Sequence, residues 1–524
     1  MKKIILVLSL VVMSFLVIGC TSKTTISFNI DNFNPTGDKI VNEKITLRFF
    51  APLHPLHDSE GYNSMKLFEK MEEITNIHIE WVYGPTATYA EKRALALQDY
   101  ENIDAFFLWN TLEDQVELAN LGVIRPIDDL LEEYSPNYYS ILEENPEYRT
   151  ISTLDDGHIY STVVINDVPR DQTFKQYINT EWLDNLGLEM PETIEEYYDV
   201  LKAFKEDDPN QNGIPDEIPL SSAKLYQTRN FIMSAFGYVS TGVEVTNNIV
   251  EYVPSTDNYR EYLRFTNKLY SEGLLDNSTY TMSNSDLAAK GYLVGSFDSA
   301  AAYLVSGAEN DSDYQAMSPL TSNLNAERMW LGFNSTTPTG LMIIEESQHY
   351  REILRWIDFL YSDQGITLQA FGEEGVDYSW EDEQKASFQF NVPSNMNVEV
   401  FRGTLTPSVG LGSIAYWSKD FVLKDDNELT QSINENVDSA GYLDYLKVPY
   451  PQVIFTEEEA DNLTIILTDL SVYMQIFEEK MVTGKTDLDD TSWQEHLDNL
   501  NQLGYLDLIE IYQAAYDRYL EKQV

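Results

Sequence analysis

The sequence predicts an α/β protein, and three observations carry that prediction. Short β-like runs alternate with helical stretches along most of the chain, which is the pattern of parallel sheets covered by helices. Hydrophobic residues make up 43% and aromatic residues 12%, which excludes a disordered chain. With 524 residues, the chain is long enough for two or more cores.

Residues 1–20 precede that pattern and read as a signal peptide. Lys2 and Lys3 give a positive start, Ile4 to Ile18 form an apolar stretch too short to span a bilayer, and Gly19 is small. Val17-Ile18-Gly19-Cys20 resembles a lipobox, in which the cysteine is lipidated and becomes the first residue of the mature chain. An ordinary secretory signal ending beside a cysteine is the alternative. Cys20 is the one cysteine present, so disulfides, zinc-thiolate sites, iron-sulfur clusters and cysteine nucleophiles are excluded from the mature body. Residues 21–43, rich in Ser, Thr, Asn, Asp and Gly, read as a flexible tether.

Strands are expected at Ile45 to Phe50, Ile77 to Val82 and Ile103 to Trp109, with helices over Gly61 to Ile74 and Tyr89 to Leu97. The theme returns with strands near Gln176 to Ile178, Ile218 to Ser221, Gly291 to Phe297 and Thr339 to Ile344. Helices fall at Thr193 to Phe204, Asn258 to Glu272 and Gln348 to Tyr361, and the end of the chain is helical over Glu457 to Lys480 and Ser492 to Tyr519.

The balance of 34 basic against 86 acidic residues gives a formal charge of −52. Such a surface repels nucleic acid and anionic lipid, so nucleic-acid binding is excluded and the charge serves solubility. No apolar run after Cys20 approaches the length of a membrane span, which leaves the lipid as the only membrane attachment.

Asp208-Pro209-Asn210-Gln211-Asn212-Gly213-Ile214-Pro215-Asp216-Glu217 has the spacing of a calcium loop. Asp208, Asn210, Asn212, the Ile214 carbonyl and Asp216 occupy alternate positions, with Gly213 at the sharp turn. The twelfth position is Pro219, so Glu217 is the nearest carboxylate able to complete the shell. The ion would be structural Ca2+, tying a helix to a strand; a metal-free turn is the alternative.

The stretch Ile178-Asn179-Thr180-Glu181-Trp182-Leu183-Asp184-Asn185-Leu186-Gly187-Leu188, followed by a helix and then this loop, resembles a known family. It is similar to the lipid-anchored extracellular solute-binding proteins (family 1) of sugar ABC importers, in the branch with alginate-oligosaccharide-binding proteins. Further echoes are Asp156-Gly157-His158-Ile159-Tyr160, Gly372-Glu373-Glu374-Gly375-Val376 and Tyr512 to Tyr519. This chain departs from the family where an arginine is common, in Ile178 to Leu183, and where Thr162 and Val163 replace a proline.

The resemblance implies a two-lobed periplasmic-binding-protein-like (type II) fold with crossing strands between the lobes and a helical C-terminus. One lobe is expected over 44–165 plus 330–400, the other over 166–329 plus 401–524. It also implies a monomer on the extracellular face of the bacterial membrane that binds an oligosaccharide in the cleft, hands it to the permease subunits, and carries no catalytic group. The long-range negative charge favours a neutral glycan over a uronate.

Carbohydrate clefts combine aromatic faces with polar rims. Trp109 and Asn110 end a strand, where open α/β sheets place ligands. Trp330, Tyr378, Trp380, Tyr416 and Trp417 lie in stretches read as loops, and Asp298 and Tyr303 follow the strand ending at Phe297. His54 and His57 follow the first strand, spaced either as a metal pair or as hydrogen-bonding groups at the cleft edge. Trp182, Trp356 and Trp493 lie on helical patterns and are expected in the core. Gly484-Lys485-Thr486 lacks the glycine of a P-loop, Ser221-Ser222-Ala223-Lys224 lacks its companion motifs, and no nucleophile elbow or zinc-protease motif occurs. A secreted glycoside hydrolase, which needs only two carboxylates, and a surface adhesin are the rival classes.

Overall fold

The computed structural model describes residues 32–522 apart from 55, 56, 58–60, 397, 423 and 426. The signal peptide and Cys20 lie outside the described residues.

The first lobe is built on a four-stranded sheet in the spatial order Leu341–Ile343, Ala105–Phe107, Ile45–Leu53, Ile77–Pro85. Ile45–Leu53 and Ile77–Pro85 run parallel, Ile45 opposite Ile77, and Leu341–Ile343 closes the other edge antiparallel. The central strand reads Phe49-Phe50-Ala51 without alternation because both its faces are buried. Trp356 projects from helix Tyr350–Leu360 onto Phe49, with ring centroids 5.2 Å apart, and onto Phe68 of helix Lys66–Thr75.

The second lobe's sheet has the order Tyr314–Ala316, Lys175–Asn179, Val294–Ser299, Ile218–Leu220. It is mixed, not parallel as the alternation predicts. Ile218–Leu220 runs parallel to Val294–Ser299, while Lys175–Asn179 runs antiparallel to it. The chain reaches Lys175 straight from the crossing between the lobes, without the helical crossover a parallel partner requires. Trp182 and Phe204, from the helices that follow, meet edge to face at 5.2 Å in the core.

Three short strands cross between the lobes. Val164–Asn166 lies in the middle, antiparallel to Thr336–Thr337 and parallel to Tyr416–Trp417. One apolar core gathers residues from Ile40 to Ile165, from Leu341 to Leu368, and Ile414 and Ala415; the other gathers residues from Tyr177 to Trp330 and from Val437 to Trp493.

Three expectations need correction. Residues 32–43 are docked and do not form part of a tether: Ile40 and Val41 are buried, Phe33 bridges Val41, and Arg355 donates to the carbonyls of Asn34 and Gly37. The strand expected to reach Trp109 stops at Phe107, because Leu108 and Trp109 have φ of 68° and 57° and turn out of the sheet. The terminal helix divides into Asp490–Gln502 and Tyr505–Lys522, broken at Gly504, whose φ is +85°.

Candidate functional site

A cavity of about 380 Å³ opens beside the crossing strands. Its second-lobe wall is the segment from Arg170 to Lys175 and the turn from Ala300 to Leu304, which follows the strand Val294–Ser299. Its opposite wall is the loop from Ser408 to Ser413, fastened to the first lobe: His57 Nε2 lies 2.8 Å from the carbonyl oxygen of Val409. Larger hollows exist, one of about 950 Å³ between helices Ile194–Glu206 and Asp257–Ser271, and one of about 490 Å³ lined by Tyr148, Pro449 and Tyr516. The smaller cavity is the candidate because it lies at a sheet's strand end, takes walls from both lobes, and joins aromatic faces to charged groups.

Phe174, Tyr303, Phe333 and Trp417 supply the aromatic surface. Phe174 meets Phe333 edge to face at 5.8 Å and Tyr226 at 5.4 Å, and Tyr226 is 54% exposed, which extends the platform outward. The Arg402 guanidinium lies 6.0 Å from the Trp417 ring centroid. Among the described residues, Arg170, Lys175 and Arg402 line the cavity against a single carboxylate, Asp171. Burial lowers the Lys175 ammonium to about 8 and pushes Arg170 down as well.

Of the residues expected at the cleft, Tyr303 and Trp417 line this cavity, and the His54 ring presses against Gly410 of its wall. His57 is a pin: burial lowers its pKa, its Nδ1 faces the His54 amide at 3.3 Å and its Nε2 the Val409 carbonyl. Among the described residues no group of three or more His, Cys, Asp and Glu side chains is placed to hold a metal, so the histidine pair lacks a third ligand.

The other expected residues are engaged elsewhere. Asn110 is fully buried, donating to the carbonyls of Phe106 and Gly340 at 3.1 and 2.6 Å. Trp109 packs edge to face on Tyr89 at 5.0 Å. Asp298 is buried and accepts from Thr228 Oγ1 at 2.9 Å and the Gln227 amide at 3.1 Å. Trp330 stacks on Tyr442 at 4.4 Å in the second core. Tyr378 and Trp380 belong to a hairpin packed with Phe371, Phe388 and the buried side of Trp417. Tyr416 faces the first core, on the opposite side of its strand from Trp417, with its hydroxyl 3.3 Å from Asp167. The sequence did not mark Arg170, Phe174, Lys175, Tyr226 and Phe333, which sit in short turns or beside strand ends where no periodicity singles them out, nor Arg402, which lies in helix Val398–Leu405 and reads there as an ordinary helical cation.

The loop from Asp208 to Glu217 leaves helix Ile194–Glu206 and enters strand Ile218–Leu220. Asp208 Oδ1 and Oδ2 accept from the amides of Asn212 and Gly213 at 3.1 and 3.0 Å, and Asn210 Oδ1 from Asn212 at 3.0 Å. Both Asn210 and Asn212 donate to Asp216 Oδ1, at 3.2 and 3.1 Å, and Gly213 turns the chain at φ +75°. Glu217 Oε1 is buried without a hydrogen-bond partner, and burial together with the charges of Asp216 and Asp208 pushes its carboxyl up. An all-oxygen donor set around crowded carboxylates and an orphaned oxygen suits a hard cation.

The model of the bacterial extracellular solute-binding protein family matches residues 55–367. The fructooligosaccharide ABC transporter substrate-binding protein FusA of Streptococcus pneumoniae is 29% identical over 511 residues, covering 91% of both chains. Its structure in complex with kestose superposes with a TM-score of 0.76 at 26% identity, covering 91% of this chain and 100% of that one, and an EF-hand mutant of FusA with fructo-nystose matches equally well. Lipoprotein LipO of Bacillus subtilis is 25% identical over 68% of this chain and 72% of its own length. The alginate-binding protein AlgQ2, solved without calcium ion, shares the fold with a TM-score of 0.73 at 20% identity over 92% of this chain and 99% of that one. With the family match extending over more than half the sequence and the two-lobed architecture in place, the chain belongs to the bacterial extracellular solute-binding proteins.

Proposed function

We propose that this chain is the substrate-binding lipoprotein of an ABC importer, anchored through Cys20 to the outer face of the bacterial membrane, where it captures an oligosaccharide and passes it to the permease. The observation that carries this reading is the cavity between the lobes, where the rings of Phe174, Tyr303, Phe333 and Trp417 stand beside polar groups from both walls. The kinship with FusA, which binds kestose, supports a saccharide as ligand. Likeness to LipO and the Val17 to Cys20 run support the lipid anchor.

Capture without chemistry is part of the proposal. A glycoside hydrolase places two carboxylates about the scissile bond, whereas among the described residues Asp171 is the one carboxylate lining this cavity. Closure of the lobes about the crossing strands buries the ligand and changes the outline offered to the permease. The protein acts as a monomer whose lobes divide near residues 165 and 330 and again after the crossing strand Tyr416–Trp417, later than the boundary at 400 expected from sequence, because Ile414 and Ala415 belong to the first core.

Calcium in the loop from Asp208 to Glu217 serves as a staple within the second lobe. Asp208, Asn210, Asn212, the Ile214 carbonyl, Asp216 and Glu217 would hold it, and none of these residues lines the cavity. The FusA EF-hand mutant and the calcium-free AlgQ2 structure support a metal role for such a loop in relatives. Calorimetry against a glycan panel, with chromatography of the recovered glycan, tests the reading: binding with the glycan intact supports it, and turnover overturns it.

A further inference from the structure

Burial singles out three cations among the described residues: Arg93, Arg170 and Lys175, which are 6%, 8% and 2% exposed. Arg93 meets Asp114 at 2.7 Å, as a cation removed from water requires. The other two both line the cavity between the lobes, and neither has a carboxylate so close. Arg170 Nε lies 3.7 Å from Asp171 Oδ1, and Arg170 Nη1 reaches the Thr430 carbonyl at 3.5 Å. Lys175 donates to the carbonyl oxygen of Arg170, and among the described residues no carboxylate lies within ion-pair distance of it. Two of its three N–H groups therefore have no acceptor among the described residues.

The wider surroundings keep the same sign. Arg402 adds a third positive charge to the wall, while Asp171 stands on the wall and Asp425 behind it, the latter accepting from Thr430 Oγ1 at 2.9 Å and the Asn427 amide at 3.2 Å. A positive surplus is unexpected in a chain with 86 acidic and 34 basic residues. A saccharide hydroxyl would accept a hydrogen bond from Lys175 and leave its charge uncompensated. An anionic group would satisfy both needs at once.

We infer that the cavity recognises a saccharide carrying an anionic substituent, a carboxylate, phosphate or sulfate, with Lys175 and Arg170 as its counter-charges. The inference rests on the cavity being the saccharide site, and it reverses the preference for a neutral glycan expected from net charge. Net charge acts at long range, on how fast an anion approaches. Desolvated cations act at contact, on how long it stays.

Calorimetry on the full chain in detergent, with neutral, uronate, phosphorylated and sulfated oligosaccharides of matched length, tests this and identifies the anionic group. One acidic ligand is expected to bind at least about tenfold tighter than its neutral counterpart, and Lys175→Met to abolish that margin while Lys175→Arg retains part of it. Lys175→Met exchanges a buried charge for an apolar chain of similar length, so its melting temperature is expected to hold or rise. Should it fall, competition between acidic and neutral ligands on the unaltered chain decides. Neutral binding as tight as acidic, or an undiminished acidic margin in a folded Lys175→Met, overturns the inference and leaves saccharide capture standing. Binding of no oligosaccharide overturns both.

Discussion

At Gly410 the backbone has φ +94°, and an added Cβ would lie 2.6 Å from His54 Nδ1. The residue lets the loop from Ser408 to Ser413 lie directly on the first lobe and so shapes one wall of the cavity. Gly410→Ala is expected to cost about 1–3 kcal/mol in a denaturant melt and to weaken glycan binding, through both strain and displacement of His54. An unchanged melt and unchanged affinity would show that the loop is not held against His54. His496 offers a separate test. It is 1% exposed, its Nε2 lies 2.9 Å from the Pro254 carbonyl, its ring stacks on Phe477 at 3.8 Å, and burial lowers it to about 4. Unfolding exposes an imidazole of ordinary pKa, which binds a proton that the folded ring refuses. Its contribution is thus complete above about pH 6.5 and is lost as pH falls towards 4, by about 3 kcal/mol in all. Melting followed from pH 7 to 5 should fall less steeply in His496→Gln than in the unaltered chain, and parallel curves would contradict this. The sequence marked Tyr303 because it follows a strand-like run, and Trp417 because it is an aromatic in a stretch that reads as a loop. It did not mark Lys175, because a lysine at the start of a strand looks like any solvated cation until the fold buries it.

Among the elements, the loop from Asp208 to Glu217 was legible as a tight turn between a helix and a strand, since polar side chains at alternate positions and Gly213 at the turn are spaced by local chemistry alone. If calcium binds only the folded state, a concentration one hundred times its dissociation constant adds about 2.7 kcal/mol of stability. Chelation is therefore expected to lower the melting temperature, and Asp208→Ala combined with Asp216→Ala to reproduce the loss, with glycan affinity little changed while the chain remains folded. Unaltered melting after chelation, with no calcium by elemental analysis, would reduce the loop to a turn. Helices with strong apolar faces, such as Asp257–Ser271 and Tyr350–Leu360, were readable to within two residues. The sheets were less so. The antiparallel direction of Lys175–Asn179 follows from the chain arriving through a crossing strand, a tertiary fact that no local pattern encodes. The same holds for residues 32–43, whose polar composition hid the buried pair Ile40 and Val41.

On the scale of the molecule, two large cores are joined by three short crossing strands with the cavity beside them, and closure about that cavity is the motion the proposed function requires. The order of motifs along the chain revealed this plan, because the family resemblance extends over nearly the whole folded body. The sorting of aromatics between core and cavity required the structure, since Trp330 and Trp417 look alike in sequence yet one stacks on Tyr442 and the other lines the cavity. The measurement that bears most directly on the whole account is calorimetry of the full chain with an oligosaccharide panel, followed by chromatography of the recovered ligand. Saturable binding of at least one oligosaccharide is expected, at one site per chain, with the ligand recovered intact. Cleavage of the bound glycan, or binding of no saccharide in the panel, would contradict it.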